Sequence, residues 1–200
     1  MNGLRVIGPA EHRLVPWKNG GGITRDVLLL PEGASHEDFD LRISLAPIVA
    51  EGPFSSFPGI DRHITRLSAN PLSLAFAQET RALARLEPFY FDSVLQPRSL
   101  LQDGPAEVLN VMTRRGRWHA QVMPATGGNG PLLAAPEGGR VMLHAVTGIW
   151  QVGDAAGAVL VRPGETLLAA DAQTLRVSCE PAGEAVVAFL TPTGARAAAA

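Results

Sequence analysis

The chain has 200 residues, with 17 basic and 19 acidic side chains and a formal net charge of -2. This length suffices for one sizeable core or for two small lobes. The low and balanced charge argues against a disordered chain and against a nucleic-acid-binding surface built on excess Lys and Arg. The 21 glycines and 16 prolines are too many for a long helical bundle, so they favour a β-rich protein with many turns.

The number of cysteines and the length of the apolar runs indicate the cellular compartment of the protein. Because Cys179 is the only cysteine, an intramolecular disulfide and a cysteine-based zinc site are both excluded. Residues 1–17 lack the apolar stretch of a secretory signal. No run approaches the roughly 18 to 20 apolar residues that a membrane helix requires. We therefore expect a cytoplasmic protein without a membrane partner.

Turn signals recur about every ten residues, which is typical of a sandwich or barrel of short strands. The strand-like segments between them, in chain order, are residues 23–30, 39–49, 72–77, 108–113, 118–123, 141–146, 149–152, 158–162, 175–179 and 185–190. Residues 78–86 and 163–172 admit a helix, although neither run is long or strongly periodic. The sequence thus predicts an all-β fold.

Two motifs in the last third resemble those of the cupin superfamily, a group of small jelly rolls. Gly138 is followed after five residues by His144, and Gly157 is followed after five residues by the run 163–165. Metal-binding cupins carry His-x-His and a Glu in the first motif and another His in the second. Here Val146 stands at the second-His position. Since a catalytic zinc-type site needs about three protein ligands, we expect neither a metal nor a cofactor.

Four sequence blocks carry a more specific resemblance; they are residues 17–26, 41–46, 52–62 and 109–114. The third block reads Gly-Pro-Phe-Ser-x-Phe-Pro-Gly-x-Asp-Arg, which is too long for a chance match. In order and spacing the blocks resemble the HutD/Ves family over essentially the whole chain. The resemblance implies an association with histidine utilisation and a small-molecule-binding or regulatory role without an assigned reaction.

The same resemblance implies a bicupin fold, in which two jelly-roll lobes of the double-stranded β-helix, RmlC-like type form one compact unit. We expect an N-terminal lobe over residues 1–105, which carries most of the family blocks. The C-terminal lobe is expected over residues 106–200 and lacks metal ligands.

Alternation along residues 41–49 sends Leu41 and Ile43 to one face of a strand and Arg42 and Ser44 to the other. If the apolar face packs against a neighbouring sheet, Arg42 and Ser44 point into the barrel, where the guanidinium suits an anion. The alternative is an amphipathic strand with Arg42 in water.

Other polar residues leave two interpretations open as well. Asn110 lies in an apolar strand, so its buried amide must bond either a neighbouring turn or a ligand. The glycine loop after Asn19 offers backbone N–H groups to an anion, or it is only a tight turn. Trp17 is a core plug or a stacking platform. The planar fork of Arg62 suits a carboxylate ligand, or it forms a structural ion pair with Asp61.

We expect a metal-free protein that binds a small carboxylate metabolite in its N-terminal lobe. The link to histidine utilisation implied by the resemblance suggests urocanate or a formylglutamate-like molecule as the ligand, in a regulatory role. The expected ligand-binding residues are Trp17, Asn19, Gly20, Gly21, Gly22, Thr24, Arg25, Arg42, Ser44, Phe54, Ser55, Phe57, Asp61, Arg62, Asn110 and Met112.

The alternative function is a metal-independent cupin enzyme, an isomerase, epimerase or hydrolase acting on a small acidic substrate. It would use Asp61, His63 or a tyrosine or serine in place of a metal. No nucleic-acid partner is expected. A homodimer is an alternative to a monomer because an exposed strand edge invites pairing.

Overall fold

The computed structural model describes residues 3–17, 22–129, 132–155, 157–170 and 174–194. Nearly all regular structure within these ranges is β-strand, joined by two three-residue 3-10 helices at Pro9–Glu11 and Ser93–Leu95. The strands in chain order are β1 (Leu4–Ile7), β2 (Arg13–Pro16), β3 (Ile23–Leu30), β4 (Leu41–Ile48), β5 (Ile60–Arg66), β6 (Leu72–Ala75), β7 (Thr80–Ala82), β8 (Pro88–Asp92), β9 (Arg98–Leu101), β10 (Ala106–Arg114), β11 (Trp118–Asn129), β12 (Leu133–Ala134), β13 (Arg140–Thr147), β14 (Trp150–Asp154), β15 (Gly157–Val161), β16 (Thr166–Ala170) and β17 (Thr174–Pro192).

These strands confirm the predicted all-β fold and correct the two runs that admitted a helix. Within residues 78–86 the chain forms β7, which pairs with β6. Within residues 163–172 it forms β16, which pairs with β1 and β13. The two segments predicted over residues 175–179 and 185–190 belong to one long strand, β17. No helix in the described part of the chain is long and apolar enough to cross a membrane.

The chain divides into two compact units, Arg13–Arg115 and Met1–His12 with Gly116–Ala200. This division differs from the expected lobes of 1–105 and 106–200 at two strands. Strand β10 belongs to the first unit because it pairs with β4 on one side and β5 on the other. Strand β1 belongs to the second unit because it pairs with β16.

The first unit contains a six-stranded sheet in the order β2-β3-β4-β10-β5-β8 and a three-stranded sheet in the order β7-β6-β9. An apolar cluster joins the two sheets. It contains Ala46, Ile64 and Val108 from the larger sheet with Leu72 and Leu74 from the smaller one. The inner face of the larger sheet is therefore the face that carries Ala46, Ile64 and Val108.

The second unit contains an eight-stranded sheet, in which β17 pairs with β11, β12, β13 and β14. Its core cluster includes the fully buried Trp150, whose indole N–H donates to the Thr147 carbonyl at 3.0 Å. Leu143 and Val187 are cross-strand neighbours on β13 and β17, and both belong to this cluster. Each unit therefore has an apolar core of its own.

Candidate functional site

The strand register of the first unit brings two arginines to one face of the six-stranded sheet. Met112 on β10 pairs with Arg42 on β4 and with Arg62 on β5. Directly opposed residues of antiparallel strands share a face, so both guanidiniums leave the sheet on the side of Met112. Two residues along β10, Asn110 pairs with Ser44 on the same face. Arg42, Arg62, Ser44 and Asn110, four of the expected ligand-binding residues, thus lie near Met112 on one face of the sheet.

These polar side chains lie between two apolar clusters on the inner face. The first cluster contains Ala46, Ile64 and Val108, each two or four residues from a polar residue on its own strand. The second cluster contains Met112, Phe39 and Ile60. Such a position removes polar groups from water, and burial of a charge is costly unless a partner compensates it.

Arg42 has such a partner. Its Nε donates to Asp26 Oδ1 at 2.9 Å, and a terminal guanidinium nitrogen lies 2.9 Å from the same oxygen. Both side chains are buried, which overturns the alternative that Arg42 projects into water. Asp26 comes from β3, where it pairs with Ser44 across the strands. The charge of Arg42 is therefore compensated inside the unit.

Arg62 has no such partner. The residue is 4% exposed, its Nε lacks a hydrogen-bond partner, and no carboxylate of the described chain pairs with it. Instead the guanidinium carbon lies 5.4, 5.7 and 5.6 Å from the ring centres of Phe54, Phe57 and Phe91. Cation–π contacts of this kind contribute about 0.5–2 kcal/mol each, depending on desolvation, and do not use the N–H donors.

The guanidinium of Arg62 nevertheless carries its charge at neutral pH. Burial, with the nearby charge of Arg42 second, lowers the pKa of Arg62 to about 9. Two guanidiniums and the one carboxylate of Asp26 leave a surplus of one positive charge in this region. A carboxylate matches such a guanidinium fork in charge and geometry.

Asn110 is a second incompletely bonded group. The residue is 6% exposed, and its Oδ1 has no hydrogen-bond partner in the described chain. The expectation of a bond to a neighbouring turn is therefore not met at this oxygen.

Trp17 and Gly22 close the base of the glycine loop. The Trp17 indole N–H donates to Thr24 Oγ1 at 2.8 Å, and the Trp17 backbone N–H donates to the Gly22 carbonyl at 2.9 Å. A Cβ on Gly22 would lie 3.3 Å from the Trp17 ring, so glycine permits the close approach. The ring also packs against the first apolar cluster. This contact fits the plug interpretation of Trp17.

Other expected site residues lie elsewhere. Arg25 is on the opposite face from Arg42, where it pairs with Glu107. Asp61 also leaves β5 on the face opposite to Arg62, so the two do not form the ion pair that the sequence left open. Ser55 is exposed. Asn19, Gly20 and Gly21 lie outside the described residues.

Asp61 belongs to a separate, more exposed group. It accepts from Arg115 Nε at 2.8 Å and from the Tyr90 hydroxyl at 3.0 Å. The His63 and Tyr90 rings lie 5.2 Å apart on neighbouring strands. The acid and base residues suggested for an enzyme are thus on the other face of β5 from Arg62.

The described residues contain no cluster of three or more His, Cys, Asp or Glu side chains that could hold a metal ion. His144, the histidine of the cupin-like motif, lies in the second unit. Its Nδ1 lies 2.9 Å from Thr166 Oγ1, and both residues are buried.

The HutD family model matches residues 9–187. The chain belongs to the HutD family. The match begins after β1 and ends within β17, so it covers the whole first unit and most of the second.

Relatives of this HutD-family chain agree with the assignment and with its fold. Protein Ves of Citrobacter koseri is 37% identical over 142 residues, which cover 69% of this chain and 70% of that one. The solved HutD of Pseudomonas fluorescens SBW25 is 27% identical with a TM-score of 0.80, covering 96% of this chain and 100% of that one. A cupin 2 conserved barrel domain protein of Leptotrichia buccalis is 11% identical with a TM-score of 0.60, covering 96% and 98%. The cupin fold expected from the sequence is confirmed.

Three residues of the candidate site in this HutD-family chain were not selected from the sequence. Asp26 lies two residues after Thr24 on β3, so alternation alone would have placed it on the same face. Phe91 pairs with Arg62 across β5 and β8, which only the register reveals. Phe39 begins the predicted segment 39–49, where alternation would place it on the face of Leu41; in the structure it precedes β4, and its ring centre lies 6.0 Å from the guanidinium carbon of Arg42.

His36, in the same connection, extends the Asp26–Arg42 pair. Its Nδ1 lies 3.2 Å from Asp26 Oδ2. Burial lowers the pKa of His36 below its usual 6.5; the Asp26 charge opposes this effect, while Arg42 and Arg13 add to it. As the pH falls, His36 is therefore protonated at a higher pH in the unfolded chain than in the folded chain.

Replacing His36 with glutamine is expected to reduce the acid sensitivity of the fold. Because the pKa of His36 is lower in the folded chain than in the unfolded chain, His36 does not destabilise the fold above pH 6.5, where it is neutral in both states. As the pH falls below that value, the unfolded chain binds the proton more readily, and the free energy of unfolding decreases. Urea unfolding at pH 7 and pH 5 should show a smaller loss in His36→Gln than in the wild type. The exposed His119 provides the matched control, His119→Gln, which should behave as the wild type. Equal losses in all three proteins would contradict this expectation.

Proposed function

We propose that this HutD-family protein binds a small carboxylate metabolite of histidine utilisation at Arg62, without a metal, and acts in a regulatory role. The observation that supports the proposal is the buried guanidinium of Arg62, which has no carboxylate partner in the described chain. Urocanate and formylglutamate-like molecules are the ligand class that the family association suggests. Their carboxylate would supply the negative charge that this region lacks.

The surroundings of Arg62 suit a small, partly apolar molecule. Three phenylalanine rings and Met112 provide apolar walls, and Asn110 provides a polar group on the same face. Binding sites for small molecules commonly combine apolar walls with a few placed polar groups. The acid–base residues Asp61 and His63 are on the other face of β5, which favours binding over the enzymatic alternative.

Calorimetry with formate, urocanate and N-formylglutamate tests the proposal. Formate is the simplest carboxylate, and the P. fluorescens HutD structure is described as a formate condition. We expect binding by the wild type and a loss of roughly 30-fold or more in Arg62→Ala, since each charge-assisted hydrogen bond contributes about 1.5–3 kcal/mol. Arg42→Ala should also weaken binding through the changed charge of the region.

Arg25→Ala is the matched control because Arg25 pairs with Glu107 on the opposite face. Its affinity should equal that of the wild type. Absence of binding to all three compounds, or unchanged binding in both Arg42→Ala and Arg62→Ala, would overturn the proposal.

A further inference from the structure

The unbonded oxygen of Asn110 carries information about the ligand beyond its carboxylate. Asn110 Oδ1 is buried and accepts no hydrogen bond from the described chain. Buried polar side-chain atoms in folded proteins nearly always have a partner, so an orphaned acceptor needs an explanation. The neighbours of Asn110 across the strands, Ser44 and Ile64, do not supply a donor to this oxygen.

Asn110 and Arg62 face the same space. Met112 pairs with Arg62, and Asn110 lies two residues before Met112 on β10. Asn110 and Arg62 are therefore diagonal neighbours on one face, a relation in which Cα atoms are roughly 7–8 Å apart. Atoms a few bonds from a carboxylate held by Arg62 can therefore reach Asn110.

The two orphaned atoms have opposite hydrogen-bonding character. Arg62 Nε is a donor, and a carboxylate oxygen accepts from it. Asn110 Oδ1 is an acceptor, so a carboxylate oxygen cannot satisfy it. A ligand with only a carboxylate would leave Asn110 Oδ1 without a hydrogen bond.

We propose that Asn110 is a specificity-determining residue that selects carboxylates carrying a hydrogen-bond donor, an N–H or an O–H, a few bonds from the carboxyl carbon. The inference rests on the proposed function, because it assumes that Arg62 holds the carboxylate. Amide and ring N–H groups are planar and pack well against the phenyl rings of Phe54, Phe57 and Phe91 that surround Arg62. A site that bonds a ligand N–H discriminates strongly against an analogue that lacks it, because the buried acceptor then stays unpaired.

Pairs of probes that differ only in the donor test the inference by calorimetry on the full chain. N-acetylglycine carries an amide N–H, and acetoxyacetate has an ester oxygen at the same place. Glycolate and acetate form the corresponding pair for an O–H donor. The wild type should prefer the donor in at least one pair by about tenfold or more. The pair that shows the preference identifies the donor as N–H or O–H.

Asn110→Leu removes the acceptor at similar volume, so it should bind both members of each pair equally. Asn70→Leu is the matched control, since Asn70 donates to the Pro105 carbonyl away from Arg62 and should keep the wild-type preference. Equal affinities within both pairs in the wild type would overturn the inference even if Asn110→Leu fails to fold. If formate still binds and Arg62→Ala removes it, the proposed function survives that result. If no probe binds, the inference and the proposed function both fail.

Discussion

Replacing Arg62 with methionine is expected to stabilise the fold and to remove carboxylate binding in the same variant. Arg62 is buried without a carboxylate partner in the described chain, so the desolvation of its charge lowers the stability of the folded state. Methionine keeps the length of the stem and packs against the same phenyl rings without that cost. The free energy of unfolding should rise by about 1–3 kcal/mol, while formate affinity falls by roughly 30-fold or more.

Arg66 on the same strand provides the matched control. Its guanidinium donates to the carbonyls of Leu83, Ser68, Ala69 and Asn70 at 2.8–3.0 Å. Arg66→Met should therefore lower the free energy of unfolding, by about 2 kcal/mol, and leave formate binding unchanged. Urea titrations with and without formate measure both quantities, because a bound ligand adds to stability by mass action. A destabilised Arg62→Met that still binds formate would contradict the assignment of Arg62.

The strand pattern was the most predictable part of the molecule. Alternation along residues 41–46 correctly placed Arg42 and Ser44 on one face, and alternation along β10 placed Asn110 and Met112 together. These placements need only the period of two that every strand has. The two runs that admitted a helix are strands because each pairs with neighbouring strands: β7 with the preceding β6, and β16 with β13 and the distant β1. Such pairing overrides weak local preference.

Neighbouring residues within one family block were harder to separate. Asp61 and Arg62 are adjacent, yet one belongs to the Tyr90 and Arg115 group and the other to the phenylalanine rings. Which face is the interior depends on the packing of the second sheet, which no local pattern contains. The pairing of Arg25 with Glu107 was also invisible in the local pattern, because the two residues are distant in sequence.

The part of β3 that follows Asp26 contains an irregularity that alternation cannot show. The β3–β4 register shifts between Asp26 and Leu28, so residues before and after the shift reach the inner face with different parity. Asp26 pairs with Ser44, whereas Leu29 pairs with Arg42. Bulges of this kind re-aim side chains and are common next to functional sites. The position of Leu29 opposite Arg42 could therefore be found only from the structure.

Replacing Asp26 with asparagine is expected to be the most destabilising single change in the first unit's polar interior. It leaves Arg42 buried near Arg62, with no carboxylate among the described residues to compensate either charge. Removing one partner of a buried ion pair typically costs about 3–5 kcal/mol, and urea unfolding should show a loss of that size. Arg25→Met is the matched comparison: its pair with Glu107 is partly exposed, and such pairs contribute about 0–1 kcal/mol.

The double variant Asp26→Leu with Arg42→Met separates the cost of an orphaned charge from the cost of altered packing. Each single change removes one partner of the buried Asp26–Arg42 pair, whereas the double change removes both charges. The double variant should lose less free energy of unfolding than the sum of the two single losses, with a coupling energy of about 2 kcal/mol or more. Simple additivity of the two losses would show that the pair does not balance charge in the interior. Formate should stabilise the double variant through Arg62, because of the three charges of Asp26, Arg42 and Arg62 only that of Arg62 then remains.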